Sequence, residues 1–83
     1  MKTNNNHLKS LGNNLKYARK KLFPKDDLHA FSLRIGVSRA TLQRMEKGDL
    51  SVSFGKYYQA AQVLQLDHPF TQLLTPAASL FDD

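Results

Sequence analysis

Two glycines, Gly36 and Gly48, constrain this chain more than any other feature. They punctuate the stretch RIGVSRATLQRMEKG, residues 34–48. The spacing predicts that one helix ends at Gly36, in the left-handed conformation that costs glycine little, and that the next ends at Gly48 in the same manner. Ser38 is placed to cap the second helix by accepting its unpaired amide hydrogens. A turn this tight holds two helices together only if both inner faces are apolar, and Ile35, Val37, Leu42 and Met45 supply that. The short helix between Ser38 and Gly48 carries Arg39, Gln43, Arg44 and Lys47, a long polar reach for so short a helix.

The rest of the chain is read by the spacing of its apolar residues. Leu8, Leu11, Leu15, Ala18 and Leu22 recur every three or four positions and predict a first helix over about residues 8–22. Pro24 in FPKDD cannot continue a helix interior, and Asp26 or Asp27 can cap the second helix, whose apolar positions are Leu28, Phe31 and Ile35. GDLSVS reads as a turn region, and Ser53 as the cap of a fourth helix burying Tyr57, Tyr58, Ala61 and Leu64. Asp67-His68-Pro69 repeats the cap-and-proline signal before Phe70, Leu73 and Leu74, a short fifth helix. No repeat, strand alternation or dividing linker is present. The expectation is an all-α, compact five-helix bundle with a helix-turn-helix. Its expected parts are a flexible leader at 1–7, one domain at 8–75 and a tail at 76–83.

An 83-residue chain with 41% apolar residues has material for a single core. The absence of cysteine removes disulfides and thiolate metal sites and makes a reducing compartment the easier assumption. No stretch approaches a secretion signal or a membrane span, so a soluble, cytoplasmic protein is expected. The formal charge of +5 is concentrated: residues 1–47 hold 11 Lys/Arg against 3 Asp/Glu, and residues 48–83 hold 1 against 4. This asymmetry favours a polyanion facing the first half.

Stepping about 100° per residue along the third helix puts Ala40, Gln43, Arg44 and Lys47 opposite Leu42 and Met45, with Arg39 to one side at the exposed start. Long hydrogen-bonding side chains around a small Ala40 are the layout for entering a major groove, where Arg suits guanine and Gln suits adenine. The competing reading is a solvated face that lacks acids. Glu46 lies about 70° from the core direction, where an unpaired charge is expensive. Arg19 is the best candidate partner, and pairing with Gln43 or Lys47 along the same helix is the alternative.

LGNNLKYARKK, FSLRIGVSRATLQRMEKG and SVSFGKYYQAAQVLQL together resemble the Xre-type family of phage repressors and Cro-like regulators over about residues 11–66. Leu11-Gly12, Leu15, Arg19, Gly36, Glu46 and Gly48 occupy the places of the family pattern. The resemblance implies a five-helix domain, often a homodimer on a palindromic operator, an Arg19–Glu46 ion pair, and base contacts from Ser38, Arg39, Ala40, Gln43 and Arg44. Three features depart from the pattern. Leu28 stands where a phosphate-contacting glutamine is usual, the connection KLFPKDD is about two residues longer, and Ser32 replaces an alanine.

The resulting expectation is a sequence-specific DNA-binding regulator, a repressor, with Lys16, Lys20, Lys25, Arg34 and Lys47 on the phosphates. Phe70, Leu73, Leu74, Leu80 and Phe81 offer more apolar surface than a short helix needs, which suggests a dimer contact, unless they complete the monomer's own core. The alternative function is an antitoxin. GDLSVSFGKYY resembles the junction of HipB-type partners of HipA-like toxin kinases, which would bind a toxin protein and regulate their own operon. An enzyme is not expected: His7, His29 and His68 are widely separated, no metal-ligand spacing or phosphate loop appears, and no cofactor is implied.

Overall fold

The structure, a computed structural model, describes residues 6–77. Four α-helices form: α1 over Lys9–Leu22, α2 over Leu28–Ile35, α3 over Arg39–Met45 and α4 over Phe54–Val63. Among the described residues there is no strand, and no helix is long and apolar enough to cross a membrane. The expected fifth α-helix is instead a short 3-10 helix, His68–Gln72, with Pro69 at its start. It is too short to gain much from α-helical bonding, and Leu74, with φ of 63°, turns the chain away just beyond it.

Local chemistry explains where the helices begin. Asp27 Oδ1 accepts the Ala30 N–H at 2.8 Å, and Ser38 Oγ accepts the Thr41 N–H at 3.0 Å. Asp26, the other acid offered as a cap, pairs with Arg34 instead. Ser53 precedes α4 in extended conformation but makes no side-chain cap bond, and neither does Asp67 before the 3-10 helix. Gly36 and Gly48 both have positive φ, 74° and 76°. Helix α3 stops at Met45, and Gly48 turns the chain shortly after it.

Each α-helix contributes to one core. Phe31, Leu42, Met45 and Ala60 are fully enclosed, with Leu15, Ile35, Val52, Tyr57 and Leu64 nearly so. Burying each large apolar side chain contributes about 1.5–3 kcal/mol, which outweighs the weak propensity of helices as short as α2 and α3. Ser32 is buried and satisfied, its hydroxyl donating to the His29 carbonyl at 2.7 Å.

The start of α1 meets the end of α3 backbone to backbone. Leu8 N–H donates to the Gly48 carbonyl at 2.8 Å, and a Cβ added to Gly12 would lie 2.4 Å from the Gly48 nitrogen. Residues 6 and 7, expected in the leader, join this seam: His7 forms an antiparallel bridge with Asp49, and Leu50 N–H donates to the Asn6 carbonyl. Leu80 and Phe81, expected at a dimer contact, lie outside the described residues.

Candidate nucleic-acid interface

Helix α3 is divided lengthwise. Leu42 and Met45 are 0% exposed, while Arg39, Ala40, Gln43, Arg44 and Lys47 all face solvent. Ser38 is exposed at the cap, but its hydroxyl is occupied: it accepts the Thr41 N–H and donates to Thr41 Oγ1 at 3.0 Å. The backbone at Ala40 is approachable because no side chain extends beyond its methyl group.

Arg44 is exposed yet held. Its Nε donates to Asp49 Oδ2 at 3.1 Å and its Nη2 to Ser51 Oγ at 2.8 Å. Asp49 Oδ1 in turn accepts the Ser51 N–H at 2.9 Å and the Ser51 O–H at 2.7 Å. The Ser51 hydroxyl, the Ser51 amide and the Arg44 guanidinium together lower the Asp49 carboxyl from 3.8 to about 2. Tyr57 closes the arrangement from inside, its hydroxyl donating to the Asp49 carbonyl at 2.6 Å. Burial, then the Asp49 charge, push the Tyr57 hydroxyl above its ordinary value.

This arrangement fixes a pH dependence. The Asp49 value is depressed on folding, so its contribution is complete above the unfolded value of 3.8 and is lost as pH falls toward about 2. Thermal melts of the wild type and Asp49→Asn should therefore differ at pH 5 and converge by about pH 2. A constant gap across that range would remove Asp49 as the titrating group.

Arg19 and Glu46 form a two-pronged ion pair, Nε to Oε2 at 2.5 Å and Nη2 to Oε1 at 3.0 Å, with side chains only 7% and 9% exposed. Glu46 thus pairs across to α1 rather than along its own helix. The pair fastens the end of α3 to the last turn of α1 and sets the angle at which the exposed face is presented.

The expected phosphate contacts separate into groups. Lys16 and Lys47, with Asn13, Gln43 and Glu46, line a polar depression of about 270 Å³ between α1 and α3. Lys20 and Lys25 are exposed and are not part of that depression. Arg34 is committed elsewhere: it pairs with Asp26, and its guanidinium lies 4.2 Å from the Phe23 ring centroid. That pairing holds the Asp26 carboxyl below its ordinary value and makes KLFPKDD a braced connection rather than a loose loop.

Of the residues expected at a dimer contact, Phe70 packs within the chain, its ring 5.5 Å from Phe54 and 5.3 Å from Tyr58. Leu73 and Leu74 remain exposed, Leu74 completely. Beside them runs an apolar groove of about 420 Å³, lined by residues including Leu8, Leu50, Val52, Phe54 and Leu73. Among the described residues no cluster of His, Cys, Asp or Glu could hold a metal ion.

The sequence reading missed Asp49 and Ser51, which it assigned to a turn. The available signal was an acid directly after the helix-ending glycine, two residues before a serine and five after an arginine. Comparison of the chain with family models, with curated proteins and with solved structures returns no match.

Proposed function

We propose that the chain is a sequence-specific double-stranded DNA-binding regulator of Xre type, a repressor that acts as a homodimer on a palindromic operator. In this reading α2 and α3 are the helix-turn-helix and α3 is the recognition helix. One observation carries the reading: α3 buries Leu42 and Met45 completely and turns Arg39, Ala40, Gln43 and Arg44 outward together, with Lys47 exposed just beyond its end. A helix so divided fits the width of a major groove and offers it donors and an amide. Arg39, Gln43 and Arg44 read base edges, and Ser38 and Ala40 set the approach. Lys16 and Lys47 take phosphates beside α3, with Lys20 and Lys25 farther along the duplex. Arg34 serves by bracing α2, since its guanidinium is already paired and stacked.

The exposed apolar groove beside the 3-10 helix favours a protein on that face. For the regulator this is a second copy, with Leu73 and Leu74 in the contact. The antitoxin reading keeps the same α3 face on DNA and places a toxin kinase in the groove.

Selection of bound duplexes from a random pool tests specificity and symmetry at once. The expected result is an inverted repeat whose half-sites are centred ~34 Å apart. Against the selected duplex, Arg44→Ala should lose about 1–3 kcal/mol and relax preference at one base pair, while Lys47→Ala should weaken all sequences alike. Equal losses for Arg44→Ala on selected and random DNA would refute its base-reading role. Recovery of no preferred sequence would refute the regulator.

A further inference from the structure

The reading above accounts for the cations of α3 but not for the carboxylate set against one of them. A negative charge at the edge of a surface that meets a polyanion repels it, so Asp49 must either be a liability or serve the cation it touches. We infer that Asp49 is the positioning residue that aims Arg44 at a single base pair, with Ser51 completing its support. This inference rests on the proposed DNA reading.

The geometry of the guanidinium carries the argument. Its five N–H groups lie in one plane, with a side edge formed by Nε and one terminal nitrogen and an end edge formed by the two terminal nitrogens. Asp49 Oδ2 and Ser51 Oγ occupy the side edge of Arg44 through Nε and Nη2. Among the described residues nothing occupies the end edge, which is the edge that can fork onto O6 and N7 of guanine. The support therefore leaves the base-reading edge open and fixes its direction.

Asp49 is itself anchored. Ser51 holds its Oδ1 by two bonds, its carbonyl accepts the Tyr57 hydroxyl at 2.6 Å, and its backbone is bridged to His7. A carboxylate fixed by the core on one side and by the α1 seam on the other can hold an exposed arginine still. Rotamer freedom that a loose arginine would forfeit on contact is already gone, so binding loses less. The opposite role, a latch keeping Arg44 off the duplex, predicts the opposite sign when the carboxylate is removed.

Asp49→Asn separates the two. The asparagine oxygen still accepts from Ser51, but its amide nitrogen meets Arg44 Nε donor to donor. The test uses the full chain, a duplex selected from a random pool, its single-base variants and a scrambled duplex. Asp49→Asn should weaken the selected duplex about tenfold, leave the scrambled one within about twofold, and flatten preference at the base pair that Arg44→Ala flattens. In an Arg44→Ala background it should cost nothing further, and a melt at neutral pH checks that each variant is folded. Tighter binding of Asp49→Asn to every duplex would overturn the inference. So would an unchanged preference in Asp49→Asn where Arg44→Ala has lost it, and in both cases the DNA reading would stand. A wild-type chain that selects no sequence would remove both.

Discussion

Glu46→Ala lowers the unfolding free energy by about 3–5 kcal/mol, because it leaves the Arg19 guanidinium buried without its counter-charge. Both side chains are under a tenth exposed and joined by two bonds, so solvent does little to compensate the survivor. A domain of 83 residues is stable by roughly 4–12 kcal/mol in all, and the single substitution consumes a large part of that. Arg19→Met should cost a similar amount. The double variant Arg19→Met/Glu46→Leu should recover most of the loss, since a well-packed apolar pair of similar volume is often as stable as the ion pair it replaces. Urea unfolding followed by circular dichroism measures all three. Losses below about 1 kcal/mol for both single variants would rank the pair with exposed salt bridges and remove it as the tie between α1 and α3.

Gly12→Ala destabilises the fold by about 3 kcal/mol or more, against the sign that helix propensity predicts. Within an open helix the change gains up to about 1 kcal/mol. Here the added Cβ would stand 2.4 Å from the Gly48 nitrogen and 2.5 Å from the Glu46 carbonyl oxygen, and both atoms are backbone. Backbone cannot rotate aside as a side-chain tip can, so α1 must lift away from the end of α3. Gly55 is the internal control: it lies in α4 with nothing within 4 Å of an added Cβ, and Gly55→Ala should be neutral or mildly stabilising. Melting temperatures that shift the same way for both variants would show that α1 and α3 do not touch as described.

The helices were legible where apolar periodicity, a cap and a glycine agreed. Phe31, Leu42 and Met45 follow the 3.6-residue period and are buried, Asp27 and Ser38 cap, and Gly36 turns left-handed. The fifth element has the same local signals, but its few residues cannot sustain α-helical bonding, so a 3-10 helix forms. The site was legible to the extent that it lies on one helix face, since angular position alone sends Gln43, Arg44 and Lys47 outward. Commitments made through space were not legible. Arg34 looks like a free cation in sequence, but Asp26 and Phe23 claim it across the α1–α2 connection. Arg44 likewise looks free until the chain folds back at Gly48 and sets Asp49 beside it. Residues 6 and 7 have no period of their own, and they are ordered by the edge they meet at Asp49 and Leu50.

That edge ties two events together. The bridge from His7 to Asp49 closes a loop of about forty residues, and the ordering entropy of that closure is offset only while α1 is docked. Local opening at the start of α1 therefore frees the segment that supports Arg44, and the two rise and fall as one cooperative unit. On the proposed DNA reading, a duplex held by α3 would stabilise the closed form by mass action, so its occupancy would slow amide exchange in the adjoining residues 6–8. By reciprocity, on the same reading, whatever steadies residues 6–8 would tighten DNA binding by the same factor.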